Sequence, residues 1–190
     1  MEGDNLQQAA AAARSAEIAI VFAYQWEAEG FDLKTLALSE NQNKLIEAVA
    51  AANPRTVVVL ETGSPATMPW IDRVAGVVEM WYPGIRGGEA VANILTGKVN
   101  PSAKLAVTFP RSDADLPHPK LVMPPPESEP SFGPGADFMA VLGKGSPAFL
   151  VQYDEKLKVG YRWYDAENKP VLFPFGFGCR IRPTATRDCR

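Results

Sequence analysis

Glu17-Ile-Ala-Ile-Val-Phe-Ala23, running into Tyr24-Gln-Trp-Glu-Ala-Glu-Gly-Phe-Asp-Leu33, is the stretch on which the fold turns. Its first seven residues form a short apolar run of the kind that makes a strand buried on both faces. The next ten place Glu27, Glu29 and Asp32 beside Trp26 and Phe31, and Ser39-Glu-Asn-Gln42 then has the pattern of a capping box opening a helix. The three carboxylates therefore gather where a strand ends, the edge of an open α/β sheet at which ligands bind. Carboxylates next to flat rings suit acid chemistry on a ligand with an apolar face, such as a sugar. A solvated acidic loop is the competing reading of the same composition.

Outward from this stretch, strand and helix signals alternate. Residues 4–16, rich in alanine, read as a helix leading into the first strand. Residues 39–52 carry Leu45, Ile46, Val49 and Ala52 on one helical face, and Asn53-Pro54 ends that helix because a residue before proline is pushed out of the α region. Arg55–Leu60 is a second buried strand, Glu61–Pro65 a turn, and Met68–Ile71 the start of a short helix. Val74–Met80 is a third strand, and a helix from Glu89 to Leu95 stops at Gly97. Leu105–Phe109 reads as a fourth strand. The alternation predicts an α/β fold: a mostly parallel sheet with helices on both faces, in flavodoxin-like layers. Proline and glycine then interrupt the pattern over residues 111–150, an excursion from the domain with a short element at Phe138–Leu142. Order resumes at Val159–Tyr164 and Val171–Phe175, which gives one domain over residues 1–178 and an irregular, frayed tail over 179–190.

The 190 residues and 46% hydrophobic content suit one domain with a proper core. A net charge of −3 offers no electrostatic footprint for nucleic acid. No apolar run approaches the ~20 residues of a membrane span, and Met1-Glu-Gly-Asp4 opens no signal peptide, so the expected location is cytoplasmic. Cys179 and Cys189 lack metal-ligand spacing, no other residue group has zinc or calcium spacing, and no cofactor is expected. A disulfide between the two cysteines would hold only a tail.

Nine segments in order resemble the second, α/β-sandwich domain of glycoside hydrolase family 3, the β-glucosidase family. They are Glu29-Gly-Phe-Asp32, Leu45–Val49 with Asn53-Pro54, Thr56–Leu60 with Gly63, and Met68-Pro-Trp70. Trp81-Tyr-Pro-Gly84 with Gly87-Gly88, Asn100-Pro-Ser102, Thr108-Phe-Pro110, Val159–Tyr164 and Leu172–Gly176 complete the set. The resemblance implies a retaining mechanism on β-glucosides or oligosaccharides, with the active site shared between two domains. A preceding (β/α)8 barrel supplies the nucleophilic aspartate, and the α/β domain supplies the general acid/base on the loop after its first strand. Glu29 matches that position, Glu27 is the runner-up, and Asp32 is a supporting carboxylate. Trp26, Phe31 and Trp81 are the expected substrate-binding residues. The donor must stay protonated near neutral pH, which burial or a neighbouring charge achieves.

The departures from the family pattern carry information too. Only about fifteen residues precede the first strand where the family carries its barrel, so the nucleophile is expected to be absent unless another polypeptide brings it. Leu33 stands where the family usually has arginine, Glu155-Lys156 replaces Glu-Gly, and Phe177 stands where histidine is common. The chain thus reads as a truncated enzyme with a tail of unrelated origin. The alternative is a non-catalytic module or sugar-binding remnant that forms homo-oligomers through the surface the barrel would cover. A minor alternative, an esterase, would use Ser64 and the single histidine, His118, although Ser64 lies in no Gly-x-Ser-x-Gly elbow. Gly84, Gly87 and Gly88 read as a tight turn or an anion cradle. Trp70 and Trp163 read as core or interface residues, and Arg162 as a carboxylate partner or a solvated cation.

Overall fold

The computed structural model describes residues 5–28, 33–120, 150, 152–180 and 188–189. Helix α1 (Leu6–Ser15) begins at Asn5, whose side chain accepts from the Gln8 N–H at 3.1 Å, and packs its alanines against α2 (Glu40–Ala52). Asn53 ties the two helices together: buried just past the end of α2, its Nδ2 donates to the carbonyls of Ala13 and Ala16 at 2.9 and 3.0 Å. Between and after these helices run β1 (Ala19–Tyr24), β2 (Thr56–Glu61) and β3 (Gly76–Glu79), a parallel sheet in that spatial order. Parallel pairing forces each connection to cross over the sheet, and α2 is the crossover between β1 and β2.

Register decides which residues share a face, because directly opposed residues of neighbouring strands point the same way. Val21 lies opposite Val58, which lies opposite Val77; Ala23 lies opposite Leu60, which lies opposite Glu79. On this face Ile46 and Val49 of α2 join Val21, Val58, Leu60, Met68 and Trp70 in the core. Trp70 is wholly buried, and its indole N–H donates to Asn43 at 2.9 Å. Val59, which points to the other face, is also fully buried, so β2 is covered on both sides. β1 is not. Its burial alternates strictly, and Ile18, Ile20, Phe22 and Tyr24 are 45–54% exposed, which corrects the expectation of a first strand buried on both faces. The difference is positional: β2 has a strand on each side, whereas β1 stands at the edge of the described sheet.

The second half departs from the expected pattern more widely. Leu105–Phe109 forms no fourth parallel strand. The Leu105 N–H donates to the Phe177 carbonyl and its own carbonyl accepts from Gly176, at 2.8 and 2.9 Å, so its backbone groups are already taken. Only Phe109–Pro110 is strand β4, and it pairs antiparallel with β5 (Val171–Phe173) outside the main sheet. Proline has no N–H to extend the ladder. The Met68–Ile71 helix becomes a 3₁₀ turn at Ile71–Arg73, and a second 3₁₀ turn at Gly84–Arg86 leads into α3 (Gly87–Leu95). There Gly84 has φ +67°, and a Cβ on Gly87 would sit 2.5 Å from Pro83, which supports the tight-turn reading of these glycines.

The start of the Pro-rich excursion is not loose. Ser112 and Asp115 form a capping box around a 3₁₀ turn at Asp113–Asp115. The Asp115 carbonyl accepts from the Trp163 indole of α4 (Tyr161–Ala166) at 2.9 Å. Phe138–Leu142 lies outside the described residues. In the tail, expected to be frayed, the backbone of β6 (Cys179–Arg180) pairs antiparallel with β7 (Asp188–Cys189). Among the described residues no helix is long and apolar enough to cross a membrane.

Candidate active site

The loops leaving β1, β2 and β3 meet at the carboxyl edge of the sheet, and hydrogen bonds lock them to one another. Glu27, just past β1, accepts from the N–H groups of Gly63 and Ser64, both at 2.9 Å, and from the Ser64 hydroxyl at 2.7 Å. Gly63 must be glycine here, since a Cβ would lie 2.9 Å from the Glu27 carboxylate and from the Tyr82 ring. From the loop after β3, the Tyr82 hydroxyl donates to the Gln25 carbonyl at 2.8 Å. Burial and the Glu27 charge both push that phenol above its ordinary range.

Downstream the same loop is anchored again. The Thr35 hydroxyl donates to Asp113, and the Leu36 N–H donates to the other oxygen of that carboxylate at 3.0 Å. The Gln25 amide donates to the carbonyls of Leu36 and Ala37 at 3.3 Å, and the Leu36 carbonyl also accepts from the Thr67 N–H at 2.9 Å. Buried Gln25 has no hydrogen-bond partner for its Oε1 among the described residues. Gln42, expected to complete a capping box with Ser39, instead clamps the end of β1. Its Oε1 accepts from the Tyr24 N–H at 2.7 Å and its Nε2 donates to the Tyr24 carbonyl at 2.9 Å. Ser39 makes no side-chain cap to the α2 backbone. A shallow cavity of about 330 Å³ opens beside these anchors, lined by Tyr24, Trp26, Leu33, Lys34, Thr35 and Gln42.

Against this geometry the sequence-derived residues sort clearly. Glu29, Phe31 and Asp32 lie outside the described residues, between the anchors at Glu27 and Thr35. Glu27 has both oxygens engaged as acceptors, an arrangement that pins two loops rather than one that hands a proton to a ligand. Trp26 lines the cavity and is 69% exposed. Trp81 is part-buried and packs on Phe109 with ring centroids 6.0 Å apart. Its φ is +52°, a left-handed conformation that bulky residues rarely adopt. Trp70 is core. Arg162 stacks over the Tyr161 ring at 5.8 Å. Ser64 and His118 form no catalytic pair: the serine hydroxyl bonds Glu27, and the imidazole bonds Glu155 at 2.6 Å. Among the described residues no group of histidine, cysteine, aspartate or glutamate side chains could hold a metal ion.

Sequence reasoning missed Glu79. It ends β3 with one oxygen accepting from the Trp81 N–H at 2.8 Å and the other 3.4 Å from the Thr62 hydroxyl. Burial pushes its carboxyl up to about 7, while hydrogen bonds from Trp81, Thr62 and Met80 work in the opposite direction. The available signal was an acid inside the otherwise apolar run Val74–Met80.

The model of the glycosyl hydrolase family 3 C-terminal domain matches residues 3–180. The chain is 44% identical over 184 residues to beta-glucosidase B of Emericella nidulans, covering 92% of this chain and 20% of that one. It is 43% identical over 178 residues to the thermostable beta-glucosidase B of Acetivibrio thermocellus, again 20% of the longer protein. Among solved structures it is similar to the Streptomyces venezuelae beta-glucosidase DesR in complex with D-glucose, with a TM-score of 0.70, 41% identity and 93% of this chain covered against 20% of that one. The Kluyveromyces marxianus beta-glucosidase in complex with glucose gives a TM-score of 0.77 at 30% identity, with 94% and 19% covered. The chain thus spans about a fifth of the length of these relatives.

Proposed function

Since the chain belongs to glycosyl hydrolase family 3, as its C-terminal domain, we propose that it is the acid/base-bearing part of a retaining β-glucosidase-like hydrolase, with Glu29 the proton donor. The observation that carries this reading is the double anchoring of the loop on which Glu29 lies. Glu27 pins it to the β2 loop on one side, and Asp113 and Gln25 pin it on the other. A general acid must be held in position at the moment of bond cleavage, and the described residues on either side of Glu29 in the chain are anchored by such bonds. Retaining hydrolysis needs two carboxyl groups roughly 5–5.5 Å apart, one attacking the anomeric carbon and the other protonating the leaving oxygen. In this reading the attacking aspartate belongs to the family's (β/α)8 barrel domain. Asp32 supports the donor, while Trp26, Phe31 and Trp81 give the sugar its apolar contact. Residues 1–178 form the domain, with an excursion at 111–150 and the tail at 179–190.

The test is a chimera in which this chain replaces the matching fifth of the Emericella nidulans enzyme. Aryl-β-glucoside turnover is expected, and Glu29→Gln should lower it by roughly 10²–10⁴-fold. Added azide, which needs no general base to attack the glycosyl-enzyme, should restore turnover. Turnover that survives Glu29→Gln, or that follows Glu27→Gln instead, overturns the assignment.

A second reading, a module that self-associates, is favoured by one feature. Ile20, Phe22 and Tyr24 of β1, with Ile18 just before it, form an exposed apolar stripe at the edge of the described sheet. Such a stripe is an apolar face suited to packing against a second copy of the chain. Sedimentation of the purified chain decides it: a dimer dissolved by Phe22→Ser supports the module, and a monomer at all concentrations removes it.

A further inference from the structure

We propose that Glu79 is a positioning residue whose proton governs the Thr62 hydroxyl and, through Ser64, the hold of the β2 loop on Glu27. As a device acting on the loop that bears the donor, it rests on the glycosidase reading. Its geometry does not.

The Thr62 side chain is fully buried, and its hydroxyl donates to the Ser64 carbonyl at 2.7 Å. A hydroxyl carries a single hydrogen. The same hydroxyl is within donating distance of Glu79 Oε2, at 3.4 Å, so the two acceptors compete for its hydrogen, and while the nearer Ser64 carbonyl holds it Thr62 presents a lone pair to Oε2. Two acceptors face each other favourably only if Oε2 carries a proton of its own. When Glu79 loses that proton, its carboxylate becomes the stronger acceptor, because charge-assisted hydrogen bonds are roughly twice as strong as neutral ones. The Thr62 hydrogen then swings to Glu79, and the Ser64 carbonyl loses its donor. Ser64 is also the residue whose N–H and hydroxyl grip Glu27. The proton on Glu79 is thereby connected to the loop after β1 by three consecutive contacts.

Two further observations support a role beyond packing. The other oxygen of Glu79 holds the Trp81 N–H, and Trp81 is the residue in the left-handed conformation. One carboxyl therefore serves the loops after both β2 and β3. Burial places its titration near 7, within reach of physiological change, with no charged side chain among the causes. The other titratable groups of this edge are Glu27 on the β1 loop, Glu61 at the end of β2 and Tyr82 on the β3 loop. Glu61 occupies the opposite side of the sheet by register, and Tyr82 is coupled to Glu27.

The experiment is an amide NMR titration of the whole chain from roughly pH 5 to 9, bracketing the shifted carboxyl. Gly63, Ser64 and Trp81 should move with one shared midpoint near 7. In Glu79→Gln all three should be flat and keep their low-pH positions, because the amide donates to Thr62 as the protonated acid does. In Thr62→Val, Trp81 and the amide of residue 62, whose N–H also faces Glu79, should still titrate while Ser64 stops. Movement of Trp81 without Gly63 and Ser64 in the unmodified chain overturns the relay, as does titration that persists in Glu79→Gln. Neither readout requires sugar or turnover, so a chimera that fails to cleave glucosides beside an intact titration sinks only the glycosidase reading.

Discussion

β1 and β2 are built from nearly the same material yet meet different fates. Ala-Ile-Val-Phe-Ala-Tyr of β1 leaves every second side chain about half exposed, while Thr-Val-Val-Val-Leu-Glu of β2 buries Val58, Val59 and Leu60 completely. Both are short apolar runs, and both pair in parallel. What differs is neighbours: among the described strands β2 has one on each side, and β1 has one. Burial in a sheet is a property of place in the strand order before it is a property of composition. The carboxyl groups at the strand ends differ for another reason, since β1 and β3 are both outer strands of the described sheet. Glu27 accepts from Gly63 and Ser64, whereas burial pushes Glu79 toward neutrality although it too accepts from the Trp81 N–H.

The hardest blow to this contrast falls at the centre. Trp70→Ala empties the covered side of the sheet and should cost about 3–5 kcal/mol, as large-to-small changes of buried aromatics do. Denaturant unfolding followed by circular dichroism measures it, and a loss below about 1 kcal/mol would mean that Trp70 is not part of a close-packed core.

Next comes Glu79, where pH sharpens the comparison. Its folded value, about 7, lies above the ordinary 4.5, so between those limits the folded chain holds a proton that the unfolded chain has released. Stability should therefore be fullest below 4.5 and fall as pH rises through 7. After allowance for partial exposure the fall is on the order of 2 kcal/mol. Glu79→Gln should abolish it, leaving the variant more stable than the parent at alkaline pH and about equal in acid. Unfolding midpoints across pH read this directly, and parallel curves for the two proteins would rule it out.

The smallest effect belongs to the edge. Phe22→Ser removes an exposed ring, so the stability of the monomer should change by no more than about 0.5 kcal/mol. Association should weaken all the same. If the substitution instead destabilises the monomer as much as a core change does, the outer side of β1 is covered after all.

Much of the architecture was legible because it is local. Apolar runs of strand length, a helical stripe at Leu45, Ile46 and Val49, and the stop at Asn53-Pro54 each announce themselves within about a dozen residues, and α2 and the three parallel strands form where those signals fall. Leu105–Phe109 misled because its strand-like side chains say nothing about where its backbone bonds go, and they go to Gly176 and Phe177. Gln42 misled for a similar reason: a capping pattern within α2 competed with a distant main-chain partner at Tyr24, and the distant partner won.

What the order of residues settled unaided was the alternation of strands and helices and the gathering of acidic side chains after β1, since both depend on spacing along the chain. The family followed from nine short segments in one order. Only the folded arrangement decided that Glu27 is a clasp, that Trp70 is core and that Glu79 titrates far from its usual range. Each of those depends on groups 27 to 37 positions away or on exclusion of water. Neither long-range partners nor desolvation can be read from a residue and its nearest neighbours in the chain.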